Sequence, residues 1–485
     1  MVPPHFHPPE IFAMDIPSYD LLVIGGGPAG SSAALAASIF GKRVAVIEKA
    51  EKIGGAGINT GTIPSKTLRE NALVIAGAKS RALPCLEIVV KPDATLAALT
   101  HQLTSVERLV RGEWEARFEQ NNVQMIFGEA SFVDAHTLRV VGRDGVVSQV
   151  RGDHIMIATG SSPVHPPGFD FSHSKVHDSN EILELEVLPK KLAVVGAGVI
   201  GSEYACSFAA LGVEVHLIDG RDALLSFLDR DIAQHIQDGM VQAGIRFHWN
   251  EKVVTCTSPE SGPVVLTLSS GIQIEATDVL VASGRSSNTE QLQLEAAGIA
   301  VGKRGLVPVN SWFQTEVPHI YATGDVVGAP ALAATSMEQA RVAVCHAFNL
   351  MKKELSPVMP TGIYTIPEAG CVGATEADLT TAGTPFVVGR ALYRHNPRGR
   401  IIGDRHGMLK LIFHRDTTRL LGVHVVGEQA TELVHVGMMA MLGEATVETF
   451  SRACFNYPSL GDLYKYAAYE AMLISRKDVV GRFAV

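Results

Sequence analysis

Two stretches of this chain repeat one device at a fixed interval. Gly25, Gly27 and Gly30 are followed by an acid at Glu48, and Gly196, Gly198 and Gly201 are followed by an acid at Asp219. The interval is 171 residues at all four positions. In the first copy the apolar run YDLLVI (19–24) leads into Gly25-Gly26-Gly27-Pro28-Ala29-Gly30, a predicted helix over Ser31–Phe40, and the strand RVAVIE ending at Glu48. In the second, Leu192–Val195 leads into Gly196-Ala197-Gly198-Val199-Ile200-Gly201, a helix, and the strand VEVHLID ending at Asp219. The first glycine permits a tight turn, the second lets backbone approach a pyrophosphate, and the third lets helix and strand pack closely. The helix N-terminus offers free N–H groups and about half a positive charge to that anion. The terminal acid is placed to accept hydrogen bonds from ribose hydroxyls. One GxGxxG alone is weak, because glycine clusters also make plain turns. A shared register that includes the acid predicts two dinucleotide sites.

A chain of 485 residues suggests roughly three domains of about 150 residues each. Its 46% apolar and 19% charged residues are those of an ordinary globular protein. The net charge of −9 argues against a nucleic-acid surface, and no apolar run reaches the roughly 18 residues of a membrane span. The first basic residue is Lys42, so a secretory signal with a basic leader is not supported. The Pro/His-rich residues 1–17 read as a flexible extension, with Met14 an alternative start, and the expected compartment is the cytoplasm. Cys85, Cys206, Cys256, Cys345, Cys371 and Cys454 show no metal-like spacing and no CxxC. They read as isolated buried thiols, and no metal site is expected.

Further segments follow in a telling order. GGAGINTGTIPSK (54–66) is followed by Ala158-Thr159-Gly160-Ser161 after a strand, then Gly284-Arg285 continuing to Asn288-Thr289, then Ile320-Tyr321-Ala322-Thr323-Gly324-Asp325, and an α+β pattern from about Pro360. Together with the two fingerprints, these resemble the pyridine nucleotide–disulfide oxidoreductases from about Ser18 to Tyr469. The resemblance implies an α/β fold with two Rossmann-like dinucleotide-binding domains, one for FAD and one for NAD(P), the second inserted in the first. A C-terminal α+β dimerisation domain completes it. The expected boundaries are 18–165 and 289–355 for the FAD domain, 166–288 for the NAD(P) domain and 356–485 for the dimerisation domain. The resemblance also places FAD against Gly25, Gly27, Pro28, Ala29, Gly30, Glu48, Lys49, Gly55, Gly61, Thr62, Lys66, Thr159, Gly160, Asp325 and Ala333. It places NAD(H) or NADP(H) against Gly196, Gly198, Ile200, Gly201, Asp219, Arg221 and Gly284.

The departures from that family bear on function. Its redox disulfide joins two cysteines five residues apart in the 54–66 segment, and those positions are Gly57 and Thr62 here. Its C-terminal His-Pro-Thr segment, which handles the thiol proton, reads Tyr457-Pro458-Ser459 here. Tyrosine, with a reference pKa of about 10, is a poor base at neutral pH. Both halves of the sulfur relay are therefore missing. Lys66 and Glu203 remain; in the family they lie near flavin N5, where a cation held by a carboxylate stabilises anionic character. Asp219 favours NAD through the ribose 2′-OH, while Arg221 either meets the NADP 2′-phosphate or is simply solvated. His435 lies on an apolar helix and reads as a packed core histidine.

FNYPSLGDLYKYAA (455–468), TGTIPSK (60–66) and LLGVHVVGEQATELVHVG (420–437) resemble one group in the family, the Si-specific soluble pyridine nucleotide transhydrogenases. Members of that group can keep a single Cys where Gly57 stands. The implied activity is reversible hydride transfer from NADPH to NAD through FAD, in a ping-pong cycle that needs no second redox centre. A diaphorase passing electrons to a quinone or oxygen is the runner-up; a dihydrolipoyl dehydrogenase-like protein is disfavoured by Gly57, Thr62 and Tyr457. A non-enzymatic FAD-binding partner protein is the alternative of a different class. A homodimer or higher homo-oligomer is expected, with Asn456 and Tyr457 across the interface.

Overall fold

The first fingerprint opens on a strand, Ser18–Ile24, in which Leu21, Leu22, Val23 and Ile24 are all buried. Consecutive buried residues point to both faces of a sheet, so this strand must be covered on both sides, as in a parallel α/β sheet. A computed structural model of the chain describes residues 16–80 and 101–482, without the side chains of 75–80, 101–103 and 475–482. Residues 1–15 of the predicted extension and Cys85 lie outside the described residues.

The chain divides into two compact units, each discontinuous in sequence. The first comprises Met1–Gly55, Arg111–Ser161 and Ser287–Leu355. Its sheet runs in the order Gln124–Phe127, Val44–Glu48, Ser18–Ile24 and Val147–Ile157, all parallel. The last strand is long and serves two neighbours. Its C-terminal end, Ile155–Ile157, pairs in parallel with Ile320–Ala322. Its N-terminal half pairs antiparallel with Thr137–Val141, which in turn pairs with Glu129–Phe132. The helix after the first fingerprint starts at Pro28, earlier than the predicted Ser31. Proline at the first helical position sacrifices no hydrogen bond, because that N–H has no intrahelical partner anyway. Its Ala33, Ala34 and Ala37 are fully buried in one cluster with Ala340, Val342 and Ala343 of the helix Ala333–Ala347.

The second unit comprises Ala56–Val110, Ser162–Ser286 and Ser356–Val485. It holds a second parallel sheet in the order Arg246–Trp249, Glu214–Asp219, Lys191–Val195, Asp278–Val281, Val176–His177. A three-stranded antiparallel meander, Val253–Thr257, Val264–Leu268 and Gln273–Ala276, accompanies it. The C-terminal part is a five-stranded antiparallel sheet in the order Thr361–Ile363, Ala369–Gly373, Leu420–Val426, Met408–His414, Phe386–Leu392, with helices Ala430–Leu442 and Leu463–Arg482. Lys410, 1% exposed, sits among three carboxylates: Asp229 at 2.6 Å, Asp231 at 3.0 Å and Glu376. A buried ammonium requires such partners, and this one ties strand Met408–His414 to helix Arg230–Gln242.

The segment 54–66 is less uniform than a single helix with a terminal turn. Ala56–Thr60 forms a π-helical turn, and an α-helix, Thr62–Ser80, begins beyond Gly61. Ile63-Pro64-Ser65-Lys66 therefore lies inside the opening turns of that helix, where proline is tolerated. No helix among the described residues is long and apolar enough to cross a membrane.

Candidate functional site

The first cradle is built by crowding. Gly25 has φ +105, and a Cβ there would lie 2.4 Å from the Ala158 carbonyl oxygen. A Cβ at Gly30 would lie 1.9 Å from the Gly25 oxygen. Only glycine fits either place. Gly27 caps the helix with extended backbone and no side-chain cap, leaving the first helical N–H groups open. Glu48 is buried, accepting the Gly26 N–H at 2.7 Å and the Ala50 N–H at 2.8 Å. Its carboxylate thus holds the glycine turn itself, while retaining further lone pairs for a ribose. Lys49, next to it, is exposed.

The same unit holds Gly55, Thr159, Gly160, Asp325 and Ala333, whereas Gly61, Thr62 and Lys66 belong to the other unit. A Cβ on Gly27 would meet only the Gly55 Cα, at 3.8 Å, so the approach to the turn is bare. Gly160 has φ +68 and nothing near its open face. The Thr159 hydroxyl is buried without a hydrogen-bond partner. A buried orphan of that kind is costly unless a ligand satisfies it. Asp325 accepts the Ser161 hydroxyl at 2.6 Å, and Ala333 opens the helix Ala333–Ala347, which has no side-chain cap. A bare glycine turn, an uncapped helix and an orphaned hydroxyl fit a dinucleotide such as FAD.

The second cradle reproduces the first. Gly196 has φ +107, with a Cβ position 2.5 Å from the Ala282 oxygen, and a Cβ at Gly201 would lie 1.9 Å from the Gly196 oxygen. Gly198 caps its helix without a side chain, and no atom lies within 4 Å of its open face. Ile200 is half-buried in the first turn of that helix. Asp219 accepts the Ala197 N–H at 2.6 Å, as Glu48 does that of Gly26. One correspondence escaped the sequence reading: Ala158-Thr159-Gly160 and Ala282-Ser283-Gly284 are the same crossover in the two copies. Ala158 N–H donates to Ile24 and Ala282 N–H to Val195, at 2.9 and 2.8 Å. Both following glycines have positive φ, Gly284 at +108. Spacing hid the match, because the second copy reaches its crossover by a shorter path.

Arg221 is not simply solvated. Its Nε and Nη2 donate to Asp219 at 2.9 and 2.7 Å, and its backbone N–H donates at 2.9 Å. Burial works against the Asp219 charge, but the Arg221 donors and the Ala197 N–H outweigh it and hold the carboxyl below its usual range.

Lys66 and Glu203 meet within the second unit, Nζ to Oε2 at 2.7 Å, with side chains 27% and 8% exposed. Helix Thr62–Ser80 presents the lysine and helix Val199–Ala210 the glutamate. Two partners were missed in the sequence. Tyr364 donates its backbone N–H to the other Glu203 oxygen at 2.9 Å, and its ring lies beneath the Lys66 ammonium, 4.8 Å to the centroid. Arg69 approaches the same ring at 5.8 Å and pairs with buried Glu368 at 2.7 Å. Burial and the Glu368 charge raise the Tyr364 phenol above its ordinary value, so the ring stays neutral beneath two cations. The YTIPE stretch (364–368) was the available signal, but nothing local in it announces a lysine 298 residues upstream.

Other expectations fare differently. Gly57 is half-buried and Thr62 exposed, with no thiol at either place. Cys206 is buried and its thiol is pushed up to about 12, with Cys371 up to about 11. Cys454, however, is exposed. His435 is no core histidine. The helix Ala430–Leu442 buries Ala430, Thr431, Val434 and Gly437, which leaves His435 exposed with Val436 and Met439. Tyr457 is 75% exposed.

Comparison with known proteins gives the family. The family model described as pyridine nucleotide-disulphide oxidoreductase matches residues 19–346, and its dimerisation domain matches 359–468. A soluble pyridine nucleotide transhydrogenase of Mycobacterium tuberculosis is 44% identical, covering 94% of this chain and 97% of that protein. One of Vibrio cholerae is 40% identical, covering 94% and 98%. Among solved structures, LpdA from Mycobacterium tuberculosis superposes with a TM-score of 0.85 at 27% identity over 94% of this chain and 99% of that one. The HOCl-induced flavoprotein disulfide reductase RclA from Escherichia coli gives 0.83 at 28%, over 92% and 99%. The chain belongs to the pyridine nucleotide-disulphide oxidoreductase family.

Proposed function

We propose that this protein is an FAD-dependent soluble pyridine nucleotide transhydrogenase, exchanging hydride between NADP(H) and NAD(H). The reading is carried by one combination: an intact Lys66–Glu203 pair beside positions 57 and 62 that hold no sulfur. When bound, FAD supplies a centre that accepts a hydride from one nicotinamide and returns it to another. The chain's own residues bind and orient. Gly27, Gly30 and Glu48 shape the first nucleotide turn, with Thr159, Gly160 and Asp325 as further contacts. Gly198, Gly201 and Asp219 do the same for the nicotinamide nucleotide. Lys66, paired with Glu203 and seated on Tyr364, provides positive charge where negative charge develops. No residue is required to move a proton, which suits a tyrosine at 457.

We assign the domains as 18–165 and 289–355 for FAD, 166–288 for NAD(P) and 356–485 for dimerisation, and the compartment as cytoplasm. A homodimer is supported by the dimerisation-domain match and by Val436, Met439, Tyr457 and Tyr466, whose exposure a partner would relieve.

The test is anaerobic. The yellow protein is mixed with NADPH, flavin absorbance is followed, and thio-NAD is then added. Bleaching followed by thio-NAD reduction, with dihydrolipoamide inert, is the expected result. Bleaching without transfer but with fast reoxidation by quinone or oxygen would instead assign a diaphorase.

A further inference from the structure

The second cradle holds a cation that no acid in the described structure engages. We propose that Lys252 is a specificity-determining residue that receives the 2′-phosphate of NADP(H), while the Asp219–Arg221 pair serves the 2′-hydroxyl of NAD(H). The inference rests on the reading that both nucleotides alternate in this site.

Arg221 is the obvious phosphate ligand, but its Nε–Nη2 edge is already turned to Asp219. Two guanidinium donors and its backbone N–H are committed to Asp219. A phosphate taking over those donors would break charge-assisted hydrogen bonds and leave a bare carboxylate facing a dianion. Both terms oppose binding.

Lys252 arrives from the neighbouring strand. Arg246–Trp249 runs parallel to Glu214–Asp219, with Trp249 opposite Asp219. The chain then folds back over the 219–221 turn. Asn250 N–H donates to the Arg221 carbonyl at 3.0 Å, and Glu251 N–H to the Asp219 carbonyl at 3.1 Å. These bonds fix the Lys252 backbone beside the turn. Its side chain then lies along Gly220: a Cβ on that glycine would sit 3.6 Å from Lys252 Cε and 3.7 Å from Cγ.

Lys252 is exposed, and its ammonium has no ion pair among the described residues. Its acidic neighbour is turned elsewhere, since Glu251 accepts the Ser269 hydroxyl at 2.6 Å and the Ser270 N–H at 3.1 Å. A flexible ammonium is suited to this duty. It can meet a phosphate as a point charge without a fixed bidentate geometry. The acid–arginine pair therefore stays assembled whichever nucleotide is present.

The experiment uses the FAD-loaded full chain and calorimetric titration with adenosine 2′,5′-bisphosphate, AMP, NADP+ and NAD+. Wild type is compared with Lys252→Gln, Lys252→Arg and Arg221→Gln, at two salt concentrations. Lys252→Gln is expected to weaken the bisphosphate and NADP+ by about five- to tenfold and to flatten their salt dependence, with AMP and NAD+ changed by less than about twofold. Lys252→Arg restores most of the loss. Unchanged bisphosphate affinity in Lys252→Gln, with loss in Arg221→Gln, overturns the inference and returns the phosphate to Arg221. Wild type that binds AMP and NAD+ but neither 2′-phosphorylated probe overturns the two-nucleotide reading itself.

Discussion

The two nucleotide cradles are nearly one object built twice, and they part company at the acid. In both, the turn glycine has a φ within two degrees of the other, and the third glycine would place a Cβ 1.9 Å from the first glycine's oxygen. The register extends past the fingerprint to Ser31 and Ser202, both buried on the following helix. There the copies diverge. Ser31 donates to the Gly26 carbonyl at 3.1 Å, whereas the Ser202 hydroxyl has no partner. Glu48 is held by backbone N–H groups, whereas Asp219 is also clasped by a guanidinium. The first cradle holds its acid by backbone alone; the second adds a side-chain ion pair at the same point. Steric demand preserves the turn in both, and the difference in duty is written in the few atoms that touch the ribose.

The severest test of this pairing places a valine at each third glycine. Gly30→Val is expected to yield protein that purifies without flavin. Gly201→Val is expected to stay yellow while losing NAD(P)H affinity by at least about a hundredfold, reflecting roughly 3 kcal/mol of overpacking. Absorbance and calorimetry read the two. If both variants lose flavin, the cradles are not independent seats.

Next in size is the cation. Lys66→Met should slow anaerobic flavin bleaching by NADPH by about a hundredfold with little change in nucleotide affinity, measured by stopped flow. Equal bleaching rates in variant and wild type would remove Lys66 from the chemistry.

The acids differ in their expected response to pH. Asp219 has a carboxyl held below its unfolded value, so its contribution to stability is present above about pH 4 and is lost as pH falls through the folded value. Thermal melts between pH 6 and 3 should therefore fall more steeply for wild type than for Asp219→Asn. Parallel curves would mean that the Arg221 clasp adds nothing in solution.

Smallest is Tyr364→Leu. Losing the ring beneath Lys66 should cost about 0.5–1 kcal/mol and slow bleaching by roughly two- to fivefold. The backbone bond to Glu203 survives that change, so a larger loss would point to repacking.

The turns were legible because they are steric necessities: Gly25 and Gly30 admit no other residue, so composition and spacing betray them. Glu48 and Asp219 were legible by position, ending strands at fixed distance from those turns. The crossovers at Ala158 and Ala282 were each recognised, but their equivalence was not, because loops between parallel strands vary freely in length. Tyr364 and Lys252 were invisible for a related reason. Each acts on a residue brought near by the sheet or helix it follows, and neither carries a local pattern that names its partner. His435 misled because a helix apolar all round reads as buried, whereas one side of Ala430–Leu442 remains uncovered in a single chain.

The pairing of Ile320–Ala322 with Ile155–Ile157 fixes an order of events during synthesis. When the ribosome has made Ile157, the first nucleotide sheet still lacks a strand that lies some 165 residues ahead. At about 5–20 residues per second, that is a wait on the order of ten seconds or more. The second parallel sheet needs nothing beyond Val281, so it has every strand in hand while the first remains open. The part of the protein encoded first is therefore among the last to close, and Asp325 emerges only as it does.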